Sequence, residues 1–183
     1  EKSDIHNRLG LEKGKYLLLS AHREENIDTE KNFLSLFTAI NKIAELYNMP
    51  VLYSCHPRSQ KRLESSGFQL DSRVIQHTPL GFHDYNCLQI YAFLVISDSG
   101  TLPEESSYFT SVGYAFPAVC IRTSTERPEA FDKGGLILSG IDTEGLLEAS
   151  TMAITMCASG HRGLPVPDYM DKNVSDKVVK IIQ

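Results

Sequence analysis

The chain has 183 residues, 42% hydrophobic and 22% charged, and its 18 Lys and Arg against 23 Asp and Glu leave a net charge of −5. These values suit one domain that buries about 70% of its unfolded surface, and they exclude disorder as the main state. A net-acidic chain offers no broad basic field to a nucleic-acid backbone, and no run of about 18 apolar residues is present to cross a membrane.

The predicted elements alternate between strand and helix. Ser3 is a candidate cap for a short opening helix that ends at Gly10. Tyr16–Ala21 is a short apolar run of the kind that forms a buried strand. Phe33, Leu36, Phe37, Ile40, Ile43, Ala44 and Tyr47 then recur at steps of three and four, one face of a long amphipathic helix capped by Thr29 or Asp28. Val51–Cys55 is the next strand, and Gln60–Ser66 a short helix stopped by Gly67. Arg73–His77 is a less apolar strand, Tyr85–Tyr91 a helix, and Phe93–Ser97 a strongly apolar strand. Leu102–Phe109 (helix), Ala118–Ile121 and Gly135–Ser139 (strands), Thr143–Ala158 (helix) and a last helix over Ser175–Ile182 complete the chain. Strands separated by helices imply an α/β fold, a doubly wound, Rossmann-like parallel sheet.

Cys55, Cys87, Cys120 and Cys157 form no CxxC pair, and each lies in or beside an apolar run. They read as reduced, mostly buried thiols. With no signal peptide ahead of the first strand, this leads to the expectation of a reducing cytoplasm. The first residue is Glu1 rather than Met, which reads as a piece trimmed from a longer chain.

In parallel α/β sheets, ligands bind outside the carboxyl ends of the strands, so the turns there carry the functional reading. They are His22-Arg23-Glu24-Glu25-Asn26, His56-Pro57-Arg58, Asp98-Ser99-Gly100-Thr101, and Arg122 with Thr125-Glu126-Arg127-Pro128-Glu129. Two His and four Arg on one edge of an acidic chain suit an anionic ligand such as phosphate, although loops are polar in any case. The Asp98–Thr101 turn is the sharpest of these. Gly100 allows a tight turn and a close ligand, Thr101 with Glu104 matches a capping box, and the following helix presents free N–H groups to an anion. Glu105 lies one turn in, within reach of a sugar hydroxyl. No G-x-S-x-G elbow supports a serine nucleophile. His22 fits a phosphate ligand, a general acid or a capping group, and His56 the same range. The histidines show no HxH or HExxH spacing, so no metal is expected.

In this order, HREEN at 22–26, His56-Pro57, SDSGT at 97–101 with Glu104-Glu105, and TERPE at 125–129 resemble the non-hydrolysing UDP-N-acetylglucosamine 2-epimerases. Four motifs in register over about 110 residues carry the resemblance, which is to the C-terminal half of that family. It implies one half of a GT-B-type enzyme, in which two Rossmann-like domains face across a cleft. It further implies that Ser99, Gly100 and Thr101 hold the diphosphate and Glu105 the ribose hydroxyls. Tyr85 would lie on the uracil, His22 would act near the reacting centre, and Arg127 would support the phosphates. Arg23 and His56 match positions that hold a second, activating UDP-sugar in some bacterial members. The full-length enzyme would be a homodimer that needs no cofactor, and the last helix would pack toward the upstream domain.

Two departures stand out. Thr101 replaces a second glycine, and HREEN replaces HRREN. Together with PLGFHDYN at 79–86 they resemble a branch that epimerises UDP-2-acetamido-2,6-dideoxy-L-talose to UDP-N-acetyl-L-fucosamine for capsule or O-antigen. The family reaction eliminates UDP to a glycal and adds it back with C2 inverted. This chain would then supply the clamp on the leaving group, while the carboxylates that move protons lie in the other half. The rival readings are the nucleotide domain of a GT-B glycosyltransferase, which the HREEN and TERPE pair disfavours, and a non-catalytic nucleotide-sugar-binding domain. Arg162 and Tyr169 are assigned either to ligand or to the opposing domain.

Overall fold

A computed structural model describes residues 3–182 of the chain. In chain order it contains α1 (Ile5–Leu9), β1 (Leu17–Ser20), α2 (Glu24–Ile27), α3 (Glu30–Tyr47), β2 (Val51–Ser54), α4 (Pro57–Ser66), β3 (Val74–His77) and α5 (Phe82–Tyr91). There follow β4 (Leu94–Ser97), α6 (Leu102–Ser111), β5 (Ala118–Cys120), α7 (Pro128–Asp132), β6 (Ile137–Leu138), α8 (Thr143–Ala158), a 3-10 turn at Pro167–Tyr169, and α9 (Val174–Ile182).

All six strands are parallel, in the order β3-β2-β1-β4-β5-β6. This is the doubly wound sheet expected from the alternation, with its switch point between β1 and β4. Leu17 lies opposite Val51 on one side and Leu94 on the other. Side chains alternate across the sheet, so the Leu17-Leu18-Leu19 run feeds two cores. Leu17 and Leu19 pack with Phe33, Phe37 and Ile40 of α3 and Leu146 of α8. Leu18 packs on the other face with Leu52, Val95, Leu88 of α5 and Phe109 of α6. Both faces are covered, which is why β1 and β4 read as continuous apolar runs.

The differences from the expected elements have local causes. α4 begins at Pro57 because the proline suits a first helical position and His56 caps it, Nδ1 accepting the Arg58 N–H at 3.3 Å. α5 begins at Phe82, three residues early. HREEN and RPE, read as turns, each hold a short helix, α2 and α7. Asp4, not Ser3, stands at the N-cap of α1, while the Ser3 hydroxyl one residue ahead accepts the Ile5 N–H at 3.1 Å, and Gly10 closes α1 at φ 62°. Thr29 stands at the N-cap of α3, although its side chain makes no capping bond. Cys55 and Cys120 are buried, Cys87 and Cys157 only partly so, and all four are free. No helix among the described residues is long and apolar enough to cross a membrane.

Candidate functional site

Because the strands are parallel, the four polar turns meet at one edge of the sheet. Asp98, fully buried at the end of β4, ties that edge together. Its Oδ2 accepts the backbone N–H of His22 at 2.8 Å, that of Arg23 at 2.9 Å, and the Asn26 amide at 2.9 Å. Arg23 Nε donates to the Asp98 carbonyl at 2.9 Å. The other carboxylate oxygen, Oδ1, takes no well-aligned hydrogen bond and faces His22 Nδ1 at 3.0 Å. One buried carboxylate thus fixes the whole turn after β1 against the turn after β4.

The pair sets its own charge. The close contact of the ring with the Asp98 carboxylate raises the pKa of His22 above its ordinary 6.5 and outweighs partial burial. Burial alone pushes the Asp98 carboxyl up, but the contacts with His22, the Arg23 amide and Asn26 bring it below 3.8. A raised His pKa contributes stability that is complete below 6.5 and is lost as pH climbs through the folded value. A lowered Asp pKa contributes above 3.8 and is lost as pH falls through the folded value. Together the pair stabilises most fully between these limits. An NMR titration of the His22 ring should give a midpoint above 6.5 that returns toward 6.5 in Asp98→Asn.

His22, His56 and Tyr85 share a cavity of about 260 Å³ with Ser20, Ser54 and Leu80. Its volume lies just below the usual 300–1,000 Å³ of whole-ligand pockets, as one wall of a larger site would. Burial pushes the Tyr85 phenol up to about 12, and its buried hydroxyl has no partner among the described residues. On the same helix, Gln89 is buried and donates Nε2 to Glu105 at 2.7 Å, with its Oε1 unpartnered. Buried polar atoms without partners are uncommon, and their concentration here singles this edge out as the candidate site.

The α6 turn departs from the expected capping box. Thr101 makes no side-chain cap bond and donates instead to Glu105 Oε1 at 2.9 Å. Its proton being committed there, the Ser99 hydroxyl donates to Thr101 Oγ1 at 3.0 Å. Ser99 Oγ also accepts the Thr101 N–H at 3.3 Å, taking over the capping role. Glu104 is drawn off by Arg127, whose Nη2 lies 2.7 Å from Glu104 Oε1. Gly100 is also reinterpreted. Its φ is not in the left-handed region, and a Cβ there would meet only Arg23 Nη2 at 3.7 Å. The turn does not require glycine for its conformation; what the missing side chain supplies is open space.

Nor is the edge a field of free cations. Arg58 pairs with Glu24 at 2.9 Å and with Asp28, Arg122 with Glu126 at 3.2 Å, and Arg127 with Glu104. An arriving anion must exchange partners with these carboxylates. Arg162 donates to the Gly113 carbonyl at 3.3 Å, beyond the C-terminal end of α6 and so at the opposite edge. Tyr169 donates to Glu129 of α7. Sequence reading gave no role to Asp98, Asn26 or Gln89. A charged residue directly after the mostly apolar Leu94–Ser97 strand, and a Gln between Leu88 and Ile90, were the available signals.

Comparisons place these features among known proteins. The profile of the UDP-N-acetylglucosamine 2-epimerase family matches residues 1–183. A UDP-N-acetylglucosamine 2-epimerase of Methanococcus maripaludis is 36% identical over 139 residues, covering 73% of this chain and 36% of that protein. The structure of the UDP-N-acetylglucosamine 2-epimerase from Rickettsia bellii superimposes with a TM-score of 0.84 at 35% identity, over 99% of this chain and 47% of the other. The Methanocaldococcus jannaschii UDP-GlcNAc 2-epimerase, solved in complex with UDP-GlcNAc and UDP, has a TM-score of 0.83 at 25% identity, over 100% of this chain and 49% of its own. The chain therefore spans half or less of the length of the proteins it matches.

Proposed function

Because this chain belongs to the UDP-N-acetylglucosamine 2-epimerase family, we propose that it is the C-terminal, UDP-binding domain of an enzyme that inverts C2 of a UDP-2-acetamido sugar. The observation that carries this reading is the convergence of the Ser99-Gly100-Thr101 turn that leads into α6, and of Glu105 in its first turn, with the His22–Asp98 pair at the switch point of the sheet. The N-terminal turn of α6 receives the diphosphate, where peptide dipoles favour negative charge. Glu105, oriented by Gln89 and Thr101, holds the ribose hydroxyls. Tyr85 lies against the uracil, and Arg127 leaves Glu104 to support the phosphates. Arg23 and His56 remain candidates for a second, activating UDP-sugar.

The reaction breaks the anomeric C–O bond and expels UDP, so charge grows on the leaving diphosphate. His22, held cationic by Asp98, stabilises that charge or delivers a proton to it. The C2 proton is moved by carboxylates of the other half of the enzyme. That half also covers the apolar face of α9, where Val178, Val179, Ile181 and Ile182 are exposed. The substrate branch follows from Thr101 and Glu24, which point to UDP-2-acetamido-2,6-dideoxy-L-talose and to precursors of bacterial capsule or O-antigen. We read the full-length enzyme as a cytoplasmic homodimer, with the free thiols supporting a reducing compartment.

Calorimetric titration with UDP tests the site. The 183-residue chain should bind UDP weakly and show no epimerisation. Glu105→Ala should weaken binding about tenfold, the loss of one charge-assisted hydrogen bond. Gly100→Ala should keep the melting temperature and lose UDP affinity, since the fold has room for the methyl group and the ligand needs it. Equal affinity in wild type and Glu105→Ala would overturn the ribose assignment.

A further inference from the structure

Beneath the other face of the sheet edge, where α1 packs on α5, lies a chain of polar groups unrelated to nucleotide binding. The Tyr16 hydroxyl is buried and gives its one proton to the Leu88 carbonyl at 2.5 Å. It must therefore accept from His6 Nε2, which lies 3.0 Å away. That fixes the tautomer: Nε2 carries the ring proton, and Nδ1 is left with a free lone pair. His6 is buried, and desolvation with the Lys13 charge keeps the ring neutral by lowering its pKa. The group facing Nδ1 is the Cys87 thiol, at 3.9 Å, the long end of the sulfur range.

We propose that Cys87 and His6 form a thiol-exchange site that takes small disulfides into the cavity beside α1 and α5. Cys87 lines this cavity, of about 400 Å³, with Ser3, Lys13, His83, Asn86 and Tyr91. A nucleophilic sulfur, a base nitrogen in contact with it, and a third group orienting that base are the parts that activate a thiol. The remaining cysteines lack them. Cys55 and Cys120 are buried, and burial pushes the Cys120 thiol up to about 11. Cys157 is partly open, yet burial raises its pKa too, and no histidine contacts it through a hydrogen bond among the described residues. The Lys13 ammonium, 3.7 Å from the Tyr91 ring centroid, gives the cavity a positive wall and a preference for anionic disulfides.

In the exchange, the Cys87 sulfur attacks one sulfur of the incoming disulfide while its proton passes to His6 Nδ1. The incoming S–S bond breaks as the mixed disulfide forms, and the leaving thiolate takes the proton from His6. The incoming disulfide is the oxidant, and one free thiol is released for each adduct. Cys87 lies about 200° around the helix from Tyr85, so the adduct faces away from the nucleotide cavity.

The test exposes the folded chain to oxidised glutathione and, separately, to an uncharged pyridyl disulfide, with adducts mapped by mass spectrometry. The main adduct is expected at Cys87, forming about tenfold faster than the one at Cys157. Relative to Cys157, the anionic reagent should show the larger preference for Cys87. Cys87→Ser should lose the adduct. Tyr16→Phe, which frees the His6 proton to move to Nδ1, should slow it in protein shown to be folded by circular dichroism, and His6→Asn should do the same. Modification of Cys157 as fast as Cys87 overturns the proposal, as does an unchanged Cys87 rate in either folded variant. If neither variant folds, the ratio of the two rates in the wild type decides.

Discussion

Asp98→Ala is expected to lower the unfolding free energy by about 3–5 kcal/mol, the usual cost of breaking a buried charged network by removing one member. Asp98 is fully buried and answers the His22 and Arg23 amides, the Asn26 side chain and the His22 ring. Its loss leaves the Asn26 amide, which is itself buried, with only the Ile121 carbonyl at 3.1 Å. Asp98→Asn keeps the volume and one acceptor, so it should cost less while abolishing the elevated His22 pKa. Denaturant unfolding separates the two variants. Equal stability of Asp98→Ala and wild type would mean that the turns after β1 and β4 hold each other without this carboxylate.

The second large effect is expected at Gly163. Its φ is 72°, and a Cβ there would lie 2.6 Å from the Gly134 carbonyl oxygen and 2.7 Å from Gly135 Cα. Both obstacles are backbone and cannot rotate aside. Gly163→Ala therefore combines about 1–2 kcal/mol of left-handed strain with about 1–3 kcal/mol of overpacking. Gly140→Ala is the matched control, since Gly140 has φ 69° with nothing within 4 Å of the added carbon. It should lose only the strain, so the difference in their unfolding midpoints isolates the contact. The packing matters for the site because the neighbouring loop is sewn to α6. The Ser107 hydroxyl accepts the Val166 N–H at 2.8 Å, and Ser106 donates to the Gly135 carbonyl at 2.6 Å. Displacing Gly134 and Gly135 pulls on the helix that carries Glu105 and follows the Ser99-Gly100 turn.

The sheet was readable from the chain because both of its faces are buried, which turns Leu17–Ser20 and Leu94–Ser97 into apolar runs with little alternative. The parallel direction of those strands then brought the right turns to one edge. Helix starts were less readable. α4 begins with Pro57-Arg58-Ser59, and α5 with an exposed Phe82 followed by polar His83 and Asp84, so hydrophobic periodicity registers only after the first turn. Within the site, the residue types were visible but their pairings were not. Asp98 meets His22 across 76 residues, and Glu104 chooses Arg127 over Thr101 through a contact that spacing along one helix cannot show. The same limit applies to Gly100, where a motif implies a bent backbone and the structure shows an ordinary one beside an open space.

The pairing of β1 with both β2 and β4 carries a kinetic consequence. β1 can find β2 early, after a short crossover through α3. Its other neighbour arrives only after α4, β3 and α5 have been placed, and closing so long a loop is entropically slow. Asp98 can hold His22 and Arg23 only once that second pairing is made. Competence of the proposed site should therefore lag behind the recovery of helical signal during refolding, and any excursion that parts β1 from β4 should release the UDP proposed to bind there while most of the helices stay wound.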